Sequence, residues 1–121
     1  MDLKLRFESK LYFLEKKIFR AKQSISYLEK LISQIKKNIK IEEVKQVFIR
    51  KQIEVNKIKM LLAEYINELY IYQRHKEVIL VKEKSVIKAF QLMEEINDRI
   101  VNLIATVQSM IIFLEYSEYK D

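Results

Sequence analysis

Glycine, proline and cysteine are all missing from this 121-residue chain. Glycine supplies the left-handed backbone that many tight turns and helix ends use, and proline interrupts helices and punctuates loops. A sandwich, a barrel or an α/β fold needs many such turns, so their absence favours a chain that reverses direction only a few times. The abundant Leu, Ile, Lys, Glu and Gln are good or tolerable helix formers. The composition therefore predicts an all-α protein.

The same absences exclude several kinds of reaction centre. Without cysteine there is neither a disulfide nor a thiolate zinc site. Without glycine there is no phosphate-binding loop and no dinucleotide-binding fingerprint. Diiron bundles use a Glu-x-x-His motif, in which a glutamate lies three residues before the histidine. The single histidine here is His75, and the residue three before it is Tyr72. We predict no catalytic residue, no metal site and no cofactor, and thus a protein that is not an enzyme.

Long apolar runs are also scarce. Residues 1–6 lack the apolar core of a signal peptide. The longest uncharged run, residues 100–114, is 15 residues long and includes Asn102 and Gln108. A bilayer span needs about 20 mostly apolar residues. The sequence predicts no transmembrane segment and a soluble, cytoplasmic protein.

A heptad pattern runs through the first third of the chain. Ten apolar residues alternate in spacing between four and three, as in the a and d positions of a coiled coil. They are Phe7, Leu11, Leu14, Ile18, Ala21, Ile25, Leu28, Ile32, Ile35 and Ile39. A second set, Leu5, Tyr12 and Phe19, repeats every seven residues beside them. This first helix is predicted to bury a wide apolar face.

The phase of this pattern changes near residue 40. A second series runs from Ile41 to Tyr72, and only Lys51 interrupts it. Asn38 is of the residue type that most often replaces glycine in the left-handed conformation ending a helix. Acidic residues 42 and 43 favour the start of a new helix through the helix dipole. We predict a tight reversal near residues 37–41.

The last third of the chain carries two overlapping apolar series, which indicates a helix that touches two neighbours. One comprises Val86, Ala89, Met93, Ile96, Ile100, Leu103, Val107, Met110 and Leu114. The other comprises Val86, Phe90, Met93, Asn97, Ile100, Ile104, Val107, Ile111 and Leu114. Asn97 would fix the register of a partner if the second series is buried, and would be peripheral if the first is.

These patterns predict one domain covering residues 1–121, with helices over about 3–37, 42–73 and 78–118. The simplest arrangement is an elongated antiparallel three-helix bundle with coiled-coil-like packing. The alternative is a two-helix coiled-coil hairpin. In that case residues 73–77 are not a turn, and the second and third helices are one very long helix.

The net charge of +6 is concentrated in the first helix. Residues 1–40 contain 11 basic and 4 acidic side chains, whereas residues 78–121 contain 5 and 7. Basic side chains among aromatics could contact nucleic acid, an anionic membrane surface or an acidic protein. The candidate contacts are Arg6, Lys10, Lys16, Lys17, Arg20, Lys30 and Lys37. Their spread around the helix, rather than along one stripe, weakens the prediction of nucleic-acid binding.

Apolar side chains that one subunit cannot cover indicate a protein interface. The candidates are Met110, Ile111, Ile112, Phe113, Leu114, Tyr116, Leu5, Tyr12 and Phe19. The sequence therefore predicts a structural or adaptor protein that works through helical interfaces, as a homo-oligomer or as a subunit of a larger assembly. The alternative is a nucleic-acid-binding accessory protein that uses its basic first helix.

Overall fold

The computed structural model describes residues 2–117, and within this range the chain forms helices and no strand. The helices are α1 (Leu3–Asn38), α2 (Glu42–Arg74), α3 (Lys76–Ile79) and α4 (Glu83–Glu115). The all-α prediction is confirmed. The predicted end of the last helix at residue 118 lies outside the described residues.

Extended backbone makes the reversal between α1 and α2. Ile39 leaves α1 with φ −89° and ψ 129°, and Ile41 precedes α2 with φ −86° and ψ 122°. No residue in the described range has a positive φ, so the left-handed conformation expected for Asn38 is wrong. An extended Ile39 keeps its side chain in the core, where it is buried. α2 then begins at Glu42, whose carboxylate lies at the positive end of the helix dipole.

Two breaks separate α2 from α4. α2 ends at Arg74, the short α3 follows His75, and a turn over residues 80–82 leads into α4. The single very long helix of the alternative arrangement is therefore wrong. The last long helix also begins at residue 83 rather than at about 78. Residues 82–84 are exposed, and burial on α4 starts only at Val86, so packing gives no reason to extend the helix backwards.

The core follows the heptad spacing on α1 and the first of the two series on α4. All ten residues of the α1 series are buried. On α4, Val86, Ala89, Met93, Ile96, Ile100, Leu103, Val107 and Leu114 are buried. Phe90, Asn97, Ile104 and Ile111, which belong only to the second series, are half-buried. Asn97 is therefore peripheral, and none of the described polar or charged residues is buried.

α1 packs against both other long helices, which also touch each other. Glu29 bonds Lys59 at 3.2 Å while Lys36 bonds Gln52 at 3.4 Å, so α2 runs antiparallel to α1. Lys10 bonds Glu94 at 2.9 Å, and the hydroxyl of Tyr27, further along α1, donates to Glu115, further along α4. α4 therefore runs parallel to α1. α2 is the least buried of the three. Its buried residues are Phe48, Val55, Leu62, Tyr65 and Leu69.

Candidate interaction surfaces

The acidic residues of α1 all lie on the edge that faces α2 and α3. The helix has only three of them. Glu8 forms an ion pair with Lys76 at 3.2 Å, and Glu29 forms one with a lysine of α2 at the same distance. Glu15 accepts a hydrogen bond from Gln73. These contacts place every negative charge of α1 against a neighbouring helix.

The opposite edge of α1 faces α4 and carries two of the predicted anionic-partner contacts. Lys10 donates to Glu94 at 2.9 Å, and Lys17 donates to the side-chain oxygen of Asn97. The Arg6 guanidinium and the Lys10 ammonium lie 5.3 and 5.4 Å from the centre of the Phe90 ring, within range of cation–π attraction. Lys10 and Lys17 are therefore engaged inside the chain rather than presented to a partner.

Between these edges, the remaining heptad positions b, c and f form what we call the outer face of α1. Its fifteen residues are all exposed. They are Leu5, Arg6, Ser9, Tyr12, Phe13, Lys16, Phe19, Arg20, Gln23, Ser26, Tyr27, Lys30, Ser33, Gln34 and Lys37. Five are basic and none is acidic. Basic residues of α1 also lie on its two edges, so they are spread around the helix as the sequence indicates, but five of the seven candidates share this outer face and no acidic residue lies among them.

The outer face of α1 is also rich in exposed apolar side chains in its N-terminal half. Leu5, Tyr12, Phe13 and Phe19 are each more than half exposed. The Lys16 ammonium lies 4.7 Å from the centre of the Tyr12 ring. Exposed rings and positive charges therefore occupy the same stretch of helix.

A second surface runs along the C-terminal half of α4, on the side away from α1. We call it the uncharged face of α4, since all of its residues are exposed and none is charged. They are Asn102, Ala105, Thr106, Ser109, Ile112, Phe113 and Tyr116. Phe113 and Tyr116 are 69% and 87% exposed. Phe113 also lines a shallow groove of about 220 Å³ with Lys51 of α2.

The structure separates the nine predicted interface residues into three groups. Ile112, Phe113 and Tyr116 lie on the uncharged face of α4, and Leu5, Tyr12 and Phe19 lie on the outer face of α1. Leu114 belongs to the core with 1% of its surface exposed, so it is unavailable to a partner, while Met110 and Ile111 are half-buried.

These two surfaces lie at different ends of α2. Phe19 lines a groove with Tyr70, whereas Phe113 lines the groove with Lys51. Tyr70 and Lys51 are 19 residues apart on α2, which corresponds to about 28 Å. The sequence could not show this separation, because it depends on how the helices are aligned against each other.

Ionisation of Glu94 reports on the α1–α4 contact. The hydrogen bond from Lys10 and then its charge lower the pKa of Glu94 below 4.5, with a smaller contribution from the charge of Lys17. A carboxyl group whose pKa is lower in the folded chain stabilises the fold at pH values above its pKa in the unfolded chain. This stability is lost as the pH falls through the folded pKa. We expect Lys10→Met to return the Glu94 pKa towards 4.5. Both effects are measurable by NMR titration and by urea unfolding at neutral and acid pH.

The stability lost in Lys10→Met should be at most about 1 kcal/mol at neutral pH, because the pair is largely solvated. The loss should shrink towards zero at pH values below the folded pKa. Lys30→Met is the matched control, since Lys30 is exposed on the outer face of α1 and should leave the titration of Glu94 unchanged. Identical Glu94 titrations in the wild-type chain and in Lys10→Met would show that the pair does not form.

Within residues 2–117, no group of three or more His, Asp or Glu side chains is arranged to hold a metal ion. No helix in this range is long and apolar enough to cross a membrane. His75 is exposed at the junction of α2 and α3. A comparison of the chain with protein-family models, curated proteins and solved structures finds no match in any of the three.

Proposed function

We propose that this chain is a non-enzymatic structural or adaptor protein of the cytoplasm that joins two copies of itself through the uncharged face of α4. In this proposal α1, α2 and α4 form one elongated three-helix bundle, and the dimer doubles its binding surfaces. The observation that carries it is the clustering of Ile112, Phe113 and Tyr116, all more than half exposed, at the last turn of α4 and the residue that follows it. Such a cluster is costly to leave in water and typical of an interface centre.

The chemistry of this surface favours a second copy as its occupant. It carries no charge, because residues 100–114 contain neither acid nor base. A strongly charged partner would lose hydration there without gaining an ion pair. A second copy offers the same uncharged surface, and two identical patches related by a twofold axis cover each other.

The size of the side chains also suits helix-to-helix packing. Ala105 and Ser109 lie one turn apart on this face, and small residues allow two helix axes to approach closely. Phe113 and Tyr116 follow these small residues at the end of the helix. The two aromatic side chains can act as the anchors that dominate many interfaces. Packing two α4 helices in opposite directions would place the anchors of each copy beside the small residues of the other.

The test is the mass of the particle in solution. We expect light scattering at micromolar concentration to give a dimer for the wild-type chain and a monomer for the double variant Ile112→Glu/Phe113→Glu. Each glutamate would bring an unpaired charge into the contact, which is strongly unfavourable. The measurement needs no knowledge of any other partner.

A matched double variant controls for surface charge. Ile53→Glu/Met60→Glu changes two similarly exposed apolar residues of α2 and should remain dimeric. A wild-type chain that is monomeric at high concentration contradicts the proposal. So does a control variant that dissociates as fully as the α4 variant, because the dimer would then not depend on the uncharged face.

A further inference from the structure

The outer face of α1 has a charge pattern that the proposed self-association does not explain. All of its charged residues are positive, and the helix directs its three carboxylates to partners on α2 and α3. Arg20, Lys30 and Lys37 have no ionic or hydrogen-bonding partner within the described chain. A face of this kind attracts an anionic partner and repels a second copy of itself.

Exposed rings on the same face narrow the chemistry of that partner. Phe13 and Phe19 present large apolar surfaces within about two turns of Arg20, whose charge is unpaired, and Lys30 and Lys37 follow further along the same face. An interfacial helix combines these two features, because its apolar groups enter the boundary between headgroups and acyl chains while its lysines and arginines attract anionic headgroups. An acidic polypeptide alone would satisfy the charges but not the phenylalanines.

The shape of the face distinguishes a membrane from nucleic acid. α1 is uninterrupted over 36 residues, or about 54 Å, and its outer face protrudes between two shallow grooves, with Phe13 at the rim of one and Phe19 at the rim of the other. Single-stranded nucleic acid is usually held in a groove with aromatic platforms, and the major groove of a duplex curves away from a straight rod of this length. A lipid surface is flat on this scale and can touch the helix along its whole length.

We propose that the outer face of α1 binds the surface of an anionic lipid bilayer, with Phe13 and Phe19 entering the interface and Arg20, Lys30 and Lys37 contacting anionic headgroups. The helix lies parallel to the bilayer plane and remains packed on α2 and α4. The contact is peripheral, and it does not require the dimer proposed above. If dimerisation is not observed but lipid binding is, the assignment of the α4 surface is wrong; if lipid binding is not observed but dimerisation is, the assignment of the α1 surface is wrong.

The first experiment measures binding to vesicles by sedimentation at low salt. We expect the full chain to bind vesicles of phosphatidylcholine with about 30% phosphatidylglycerol, and to bind pure phosphatidylcholine far more weakly. Arg20→Glu/Lys30→Glu/Lys37→Glu should reduce binding to the anionic vesicles by at least ~100-fold. The control, Lys57→Glu/Lys84→Glu/Lys88→Glu, makes the same charge change at exposed residues of α2 and α4 and should bind much more tightly than the α1 variant.

The second experiment measures insertion, and it exploits the absence of tryptophan from the chain. In Phe13→Trp, the only indole lies on the outer face of α1, and its emission should shift to the blue when anionic vesicles are added. In Met60→Trp, the indole lies on exposed α2 and its emission should not shift. All these substitutions are at exposed positions, so circular dichroism should show the helix content of the wild-type chain.

Three results would overturn the proposal. The first is no binding to anionic vesicles at low salt. The second is an equal loss of binding in the two triple variants, since net charge rather than this face would then be responsible. The third is tighter binding to a short single-stranded or duplex DNA than to vesicles, abolished by the α1 variant, which would assign the face to nucleic acid.

Discussion

Replacing Glu83 with proline should leave the free energy of unfolding unchanged or raise it by up to about 1 kcal/mol. Glu83 is the first residue of α4, where the backbone N–H has no acceptor within the helix and the fixed φ of proline is favourable. The preceding Lys82 has φ −121° and ψ 130°, which is the backbone region that a residue before proline prefers. A proline at Ala105, exposed in the interior of the same helix, should instead lower this free energy by about 3 kcal/mol or more.

Urea unfolding followed by circular dichroism measures both variants. The comparison tests the break between α2 and α4 directly, because a single helix running through residues 75–83 would suffer from a proline at 83 as much as from one at 105. Similar losses in the two variants would contradict the break. A loss only in Ala105→Pro would show that the chain leaves the helical path where the structure places the turn.

The regular parts of the fold could be predicted because they repeat. Each residue of the α1 series is apolar and each is buried, so a strict heptad spacing was enough to identify its core face. On α4 the spacing alone allowed two faces. The first is buried in the structure because Phe90 and Asn97, on the second, lie at the edge against α1, where they contact charged side chains.

The irregular parts could not be predicted, since they involve short segments with no repeat. α3 is only 4 residues long, and the turn over residues 80–82 contains no glycine or proline to mark it. Asn38 suggested a left-handed helix end that the extended Ile39 replaces. The residues of α3, of the turn over residues 80–82 and of the end of α1 are compatible with more than one backbone conformation. The conformation that each segment adopts depends on how the long helices pack.

The candidate surfaces needed both kinds of information. The positions of Glu8, Glu15 and Glu29 follow from the heptad, because all three share one edge of α1. Whether that edge faces solvent or another helix does not follow from α1 alone. Once α2 is known to lie against it, the outer face that remains exposed on α1 contains basic, apolar and uncharged polar side chains and no acidic one. On α4 the sequence already shows that residues 100–114 are uncharged, and the structure adds which of their side chains are exposed.

Adjacent leucines on α2 provide the sharpest test of how that helix is oriented. Leu62 is 4% exposed and belongs to the core, whereas Leu61 is 44% exposed. Leu62→Ala should lower the free energy of unfolding by about 2–5 kcal/mol, through lost apolar burial and the cavity that remains. Leu61→Ala should lower it by less than about 1 kcal/mol. Both changes can be measured by urea denaturation of the otherwise unaltered chain.

The two variants control each other, because the residue types, the helix and the change in helix propensity are the same. Their difference therefore measures packing alone. Equal losses would mean that α2 is not held in one rotation against its neighbours, and a larger loss in Leu61→Ala would mean that it is rotated from the described orientation. Since Lys59 and Gln73 pair with Glu29 and Glu15 only in that orientation, either result would also release the acids of α1. The three carboxylates would then be exposed beside the outer face of α1, and the inferred contact with anionic lipid would lose its electrostatic basis.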